Sequence, residues 1–185
     1  MIIVKARTQA SATNWRVWHQ SLSGSTYYLG LNQTAAQDTS STVFNGQSST
    51  TFTVGNDPAV NANTYTFVAY CWAAVAGFSK FGSYTGNGST DGPFVYCGFR
   101  PRFVMVKRID LTNDWFVVDT SRDTYNIASS LLRPNTSAVE QSVGVIDVLS
   151  NGFKPRTTDS AYNASGGTYI YAAFAENPFA NALAR

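Results

Sequence analysis

The sequence predicts an all-β protein, an antiparallel β-sandwich of jelly-roll-like type built from two duplicated copies. Three observations lead there. Short β-branched and aromatic runs alternate with clusters of Gly, Asn, Ser and Asp, the pattern of strands and turns. No window holds an apolar stripe at helical spacing for several turns, and Gly or Asn interrupts most helical candidates. Two stretches about 100 residues apart also read alike in order and composition, a period too long for a solenoid. The 185 residues are 44% hydrophobic, 14% aromatic and 13% charged. A charged share well below the usual level of about 25% excludes a disordered chain or a charged helical rod.

The first copy spans residues 1–77. Its opening strand, 2–6, is the apolar run Ile2-Ile3-Val4 closed by Lys5, and 15–19 places Val17 between Trp15 and Trp18. Strand 27–31 starts on Tyr27-Tyr28, strands 41–44 and 50–54 alternate Thr or Ser with Phe and Val, and 64–74 is aromatic and β-branched.

The second copy spans 78–185. It begins with a lead-in hairpin in which 79–84 and 92–96 are joined by a turn at Gly86-Asn87-Gly88. Strands 103–108, 115–119, 129–132, 145–148, 152–156 and 168–175 follow. Residues 1–5 answer to 103–107 and 14–18 to 114–118, Phe52 answers to Phe153 and Asn61-Ala62 to Asn163-Ala164. Aligning 64–70 with 168–174 sets Tyr65 over Tyr169, as Trp15 lies over Trp115. The lead-in has no counterpart before Met1. Ile2, Ile3, Val4 and Lys5 are therefore expected to form an uncovered edge, apolar and lacking Pro, open to upstream sequence or to a second chain of a homo-oligomer, with a trimer favoured.

Chemistry-bearing residues are few. His19 is the one histidine and has no nucleophile signature beside it, and its counterpart in the second copy is Asp119. Asp110, Asp114, Asp119 and Asp123 cluster in sequence, and turn formation accounts for them better than a glycosidase pair. Two cysteines and one histidine cannot supply a zinc quartet, so neither metal nor cofactor is expected. Cys71 and Cys97 sit among apolar neighbours and are expected as buried free thiols.

A net charge of +2 is far from a nucleic-acid footprint. The cluster Arg100, Arg102, Lys107 and Arg108 reads as a solvated strand end. No apolar run approaches the ~20 residues of a membrane helix, and the first residues lack the pattern of a signal peptide. Aromatics are the enriched class. Most belong to the core, while Trp15, Trp18, Tyr27 and Tyr28 lie among polar neighbours and are the candidates for contact with a glycan or protein partner.

The long motifs 78–89, 91–96, Gly98-Phe99-Arg100-Pro101, 119–126, 149–154 and 162–178 resemble the repeated C-terminal β-domain of tail-fibre-like virion proteins of tailed, often marine, bacteriophages. The resemblance implies a non-enzymatic structural protein of the phage particle, made in the host cytoplasm. It would be a tail-fibre or spike module that contacts other virion proteins and the host surface. A capsid decoration or head-fibre protein is the alternative, and a glycan-degrading enzyme the remote one. The resemblance supplies no catalytic residues.

Overall fold

The computed structural model describes residues 1–8 and 12–178. Among these the chain forms fifteen strands and one short helix. The first half contains β1 (Ile2–Ala6), β2 (Arg16–Trp18), β3 (Tyr27–Gly30), β4 (Asp38–Thr39), β5 (Phe44–Gln47), β6 (Phe52–Val54), α1 (Pro58–Asn61) and β7 (Phe67–Cys71). The second contains β8 (Ser79–Thr85), β9 (Val95–Tyr96), β10 (Pro101–Arg108), β11 (Trp115–Asp119), β12 (Ala128–Leu131), β13 (Gln141–Leu149), β14 (Gly152–Pro155) and β15 (Thr168–Ala175). Asp57 and Pro58 explain the helix: the Asp57 carboxylate accepts from the Ala59 N–H, and proline suits a first helical turn.

The strands pair antiparallel and stack in layers. Sheet β4-β3-β2-β1-β7 lies against sheet β11-β10-β15-β8, which lies in turn against β12-β13-β14-β9, while the β5-β6 pair and α1 cap the first sheet. Period-two alternation places every other residue on each face. Ile3, Val17 and Leu29 meet Met105, Trp115, Val117, Ile170 and Ala172 in one core, so the halves on either side of residue 77 share their interior. Val104, Val106, Phe116, Val118, Tyr169 and Tyr171 face the outer sheet instead. Buried on both faces, β10 and β15 read as near-continuous apolar runs. Trp115 also ties the halves through its indole N–H, which donates to the Gly30 carbonyl at 2.9 Å.

Pairing in the two halves runs in parallel. Ile2, Ile3 and Val4 oppose Trp18, Val17 and Arg16, as Val104, Met105 and Val106 oppose Val118, Val117 and Phe116. On the other side, Ile2 to Ala6 oppose Cys71 to Phe67, as Val104 to Arg108 oppose Ala173 to Tyr169. Loop detail recurs as well. Asn32 Oδ1 accepts from Trp15 N, and Asn135 Oδ1 accepts from Trp115 N, both at 3.0 Å. Thr64, the one non-glycine residue with positive φ (69°) among those described, sits where the second half has Gly166 (φ 75°).

Three expectations need correction. The pairing puts Phe67, not Tyr65, in the place of Tyr169. A two-residue slip keeps the same residues on the same face, so matching tyrosine to tyrosine concealed it. Residues 79–96 are not a hairpin: β8 pairs with β15, and β9 pairs with β14 in another sheet. Asn163 redirects the chain between them by donating to Asn87 Oδ1 and to the Ser89 and Thr157 carbonyls.

Ile2, Ile3, Val4 and Lys5 are not an edge either, because β1 is paired with β2 on one side and β7 on the other. An apolar run flanked by two partners is what a central strand requires.

Candidate functional site

Trp15, Trp18, Tyr27 and Tyr28 do not converge. Trp15 and Tyr27 pack toward the core shared by the halves, and Tyr28 packs on the opposite face of the same sheet. Its hydroxyl donates to Asp38 at 2.9 Å, and the Arg16 guanidinium lies 4.7 Å from its ring. Trp18 borders both cores, with its indole N–H buried and without an acceptor among the described residues.

His19 is held in a neutral form. Ser21 N donates to Nδ1 at 3.1 Å, which leaves Nε2 to carry the proton toward the Tyr171 carbonyl, also at 3.1 Å. Burial lowers its pKa to about 4. The four aspartates are each engaged locally. Asp110 forms a two-pronged pair with Arg108, Asp114 meets Asn135 and Arg133, and Asp119 accepts from Ser121 N and Arg122. Asp123 accepts from the backbone N–H groups of Ser129 and Ser130. Among the described residues no group of three or more His, Cys, Asp or Glu side chains is placed to hold a metal ion. No helix there is long and apolar enough to cross a membrane.

Two further expectations change. The basic strand end is not solvated throughout: Lys107 is fully buried, donating to the Thr34 and Arg108 carbonyls, and burial lowers its pKa to about 8. Cys97 is buried and its thiol is pushed up to about 12, whereas Cys71 is exposed. Cys71 stands where Ala173, fully buried, stands in the second half.

That contrast locates the most unusual surface of the molecule. β15 is paired on both sides, by β10 and β8, while among the described residues β7 is paired by β1 alone and ends its sheet. The bond from Trp72 N to Met1 O and the strict alternation of an antiparallel pair turn the N–H and C=O groups of Phe67, Ala69 and Cys71 away from β1. Natural edges carry charge or proline; Phe67-Val68-Ala69-Tyr70-Cys71 carries neither. Ala69, Tyr70, Cys71 and 73–76 are exposed, and Tyr70 stacks between Trp15 and Trp72.

Beside this edge lies a groove of about 410 Å³ floored by Met1, Ile2, Trp18, Phe52, Cys71 and Trp72 and rimmed by the polar loop 47–51. Sequence reasoning missed both features. The signal available was the unblunted composition of 67–71, which it had sought in the wrong strand.

Comparison with known proteins finds one family match: residues 1–178 fit the model of a domain of unknown function, DUF7483. No curated protein and no solved structure matches the chain.

Proposed function

The chain belongs to the DUF7483 family, and with that membership as premise we propose that it is a non-enzymatic structural module of a tailed-bacteriophage particle. Its place would be a tail fibre or spike that contributes to attachment at the host surface. The observation that carries the reading is the open edge of β7. An apolar strand with one side unpaired among the described residues, beside a groove, suits a protein that works inside an assembly, where a neighbour covers it. The sequence motifs that resemble tail-fibre-like virion domains supply the kind of assembly. The engagements of the chemistry-bearing residues suit a structural role: His19 is held neutral between Ser21 N and the Tyr171 carbonyl, and Asp119 and Asp123 serve turns and ion pairs.

The partners are other virion proteins and further copies of the chain, with a glycan or protein of the host surface as a further one. Cryo-electron imaging of intact particles carrying a label fused to residue 185 tests this. Label at the tail, with three-fold or six-fold symmetry, is the expected result. Label on the head shell would make the chain a decoration or head-fibre protein, and unlabelled particles would refute the reading.

A further inference from the structure

Three features of the first half stand where the second half is covered by its own segment 79–97. The outward groups of Phe67, Ala69 and Cys71 correspond to those of Tyr169, Tyr171 and Ala173, which pair with Tyr84, Gly82 and Lys80 of β8. The groove at Thr51 and Phe52 corresponds to the site at Gly152 and Phe153, where β9 seats Val95. Asn61 corresponds to Asn163. Both donate to the carbonyl six residues before them, Gly55 O or Thr157 O, and Asn163 also grips Asn87 and Ser89 while Asn61 is exposed.

We propose that the first half is completed in trans by an extended segment of a partner polypeptide, which pairs antiparallel with β7 and continues over the groove. The proposal rests on the reading of the chain as an assembly module. The occupant's chemistry follows from the segment that fills the equivalent place. It is strand-forming, with an apolar residue where Phe81 points into the shared core and an apolar side chain for the groove, where Val95 and Cys97 are buried in the second half.

Two differences refine it. A Cβ on Gly82 would come within 2.8 Å of Tyr171, and Ala69 replaces that tyrosine, so the occupant needs no glycine there. A Cβ on Gly152 would come within 2.1 Å of Val95 O, and Thr51 replaces that glycine, so the occupant rides higher over the groove and β7 carries the pairing. A second copy's β7 docked about a two-fold axis would satisfy the same edge groups. It would leave the groove and Asn61 uncovered, and the strand segment fits all three.

The probe is a synthetic peptide of residues 79–98 with Cys97 replaced by Ser, labelled and titrated with the whole chain by fluorescence anisotropy. Saturable one-to-one binding is expected. Ala69→Pro removes an outward N–H that β1 does not use, and should weaken binding at least about tenfold while the fold is kept. N-methylation of the peptide at Gly82 should do the same, and N-methylation at Ser83, whose N–H faces away, should not. This pair of peptides keeps the test decisive if Ala69→Pro fails to fold.

No saturation up to about 1 mM peptide would overturn the proposal. Equal binding of the two N-methyl peptides would overturn it too, as would self-association of the unliganded chain that Ala69→Pro abolishes. Placement on the particle is read independently. A tail label without peptide binding refutes the docking alone, and peptide binding with bare particles refutes the virion reading alone.

Discussion

At the scale of single residues, His19 couples the fold to pH. Its ring bridges Ser21 and the Tyr171 carbonyl only while neutral, and its pKa falls from 6.5 to about 4 on folding. The unfolded chain therefore binds the proton more tightly. The stabilisation is complete above about pH 6.5, declines as pH falls from there toward about 4, and amounts to about 3 kcal/mol over that window. Urea unfolding of the chain and of His19→Gln across pH 4–7 should show this slope in the first and a flatter one in the second. Trp115 is the other residue with a long reach. Trp115→Phe keeps most of the apolar volume and removes the indole donor to the Gly30 carbonyl, which retains the Gln33 N–H at 3.2 Å, so a loss of about 0.5–1.5 kcal/mol in unfolding free energy is expected.

Elements show what was legible in the sequence and what was not. Strand alternation placed β1, β2, β10, β11 and β15 to within a residue or two, because burial on a pleated surface is written locally in residues such as Ile2, Val17 and Tyr171. Pairing is not local. The Gly86-Asn87-Gly88 turn looks like the tip of a hairpin, and only Asn163, 76 residues away, determines that the chain crosses to another sheet there. The expectation of an edge at β1 rests on the lead-in of the second half having no counterpart before Met1, yet the lead-in strand β8 pairs with β15, not β10, so the strand left at the edge in the first half is the counterpart of β15, which is β7. Exposure of β7 has a chemical consequence. In the native chain one thiol, Cys71, should react promptly with a thiol reagent, while Cys97 should react only on unfolding.

For the whole molecule, the shared core between the two inner sheets decides how the halves behave. Ile3 and Val17 pack with Met105 and Val117, so separating 1–77 from 78–185 would expose an apolar face on each piece. Thermal unfolding of the intact chain should be a single cooperative transition. The fragment 78–185 alone should aggregate unless 1–77 is supplied with it. Two independent transitions would mean that the halves are separate bodies.

The same layered arrangement leaves β7 as an apolar, unblunted sheet edge, and residue-resolved amide exchange reads that edge directly. In the isolated chain the amides of Phe67, Ala69 and Cys71 should exchange quickly while those of Val68 and Tyr70, bonded to β1, stay protected; adding the 79–98 peptide should protect all five. Uniform protection along β7 in a monomer without peptide, or alternation that the peptide leaves unchanged, would contradict the claim that this edge is a docking site.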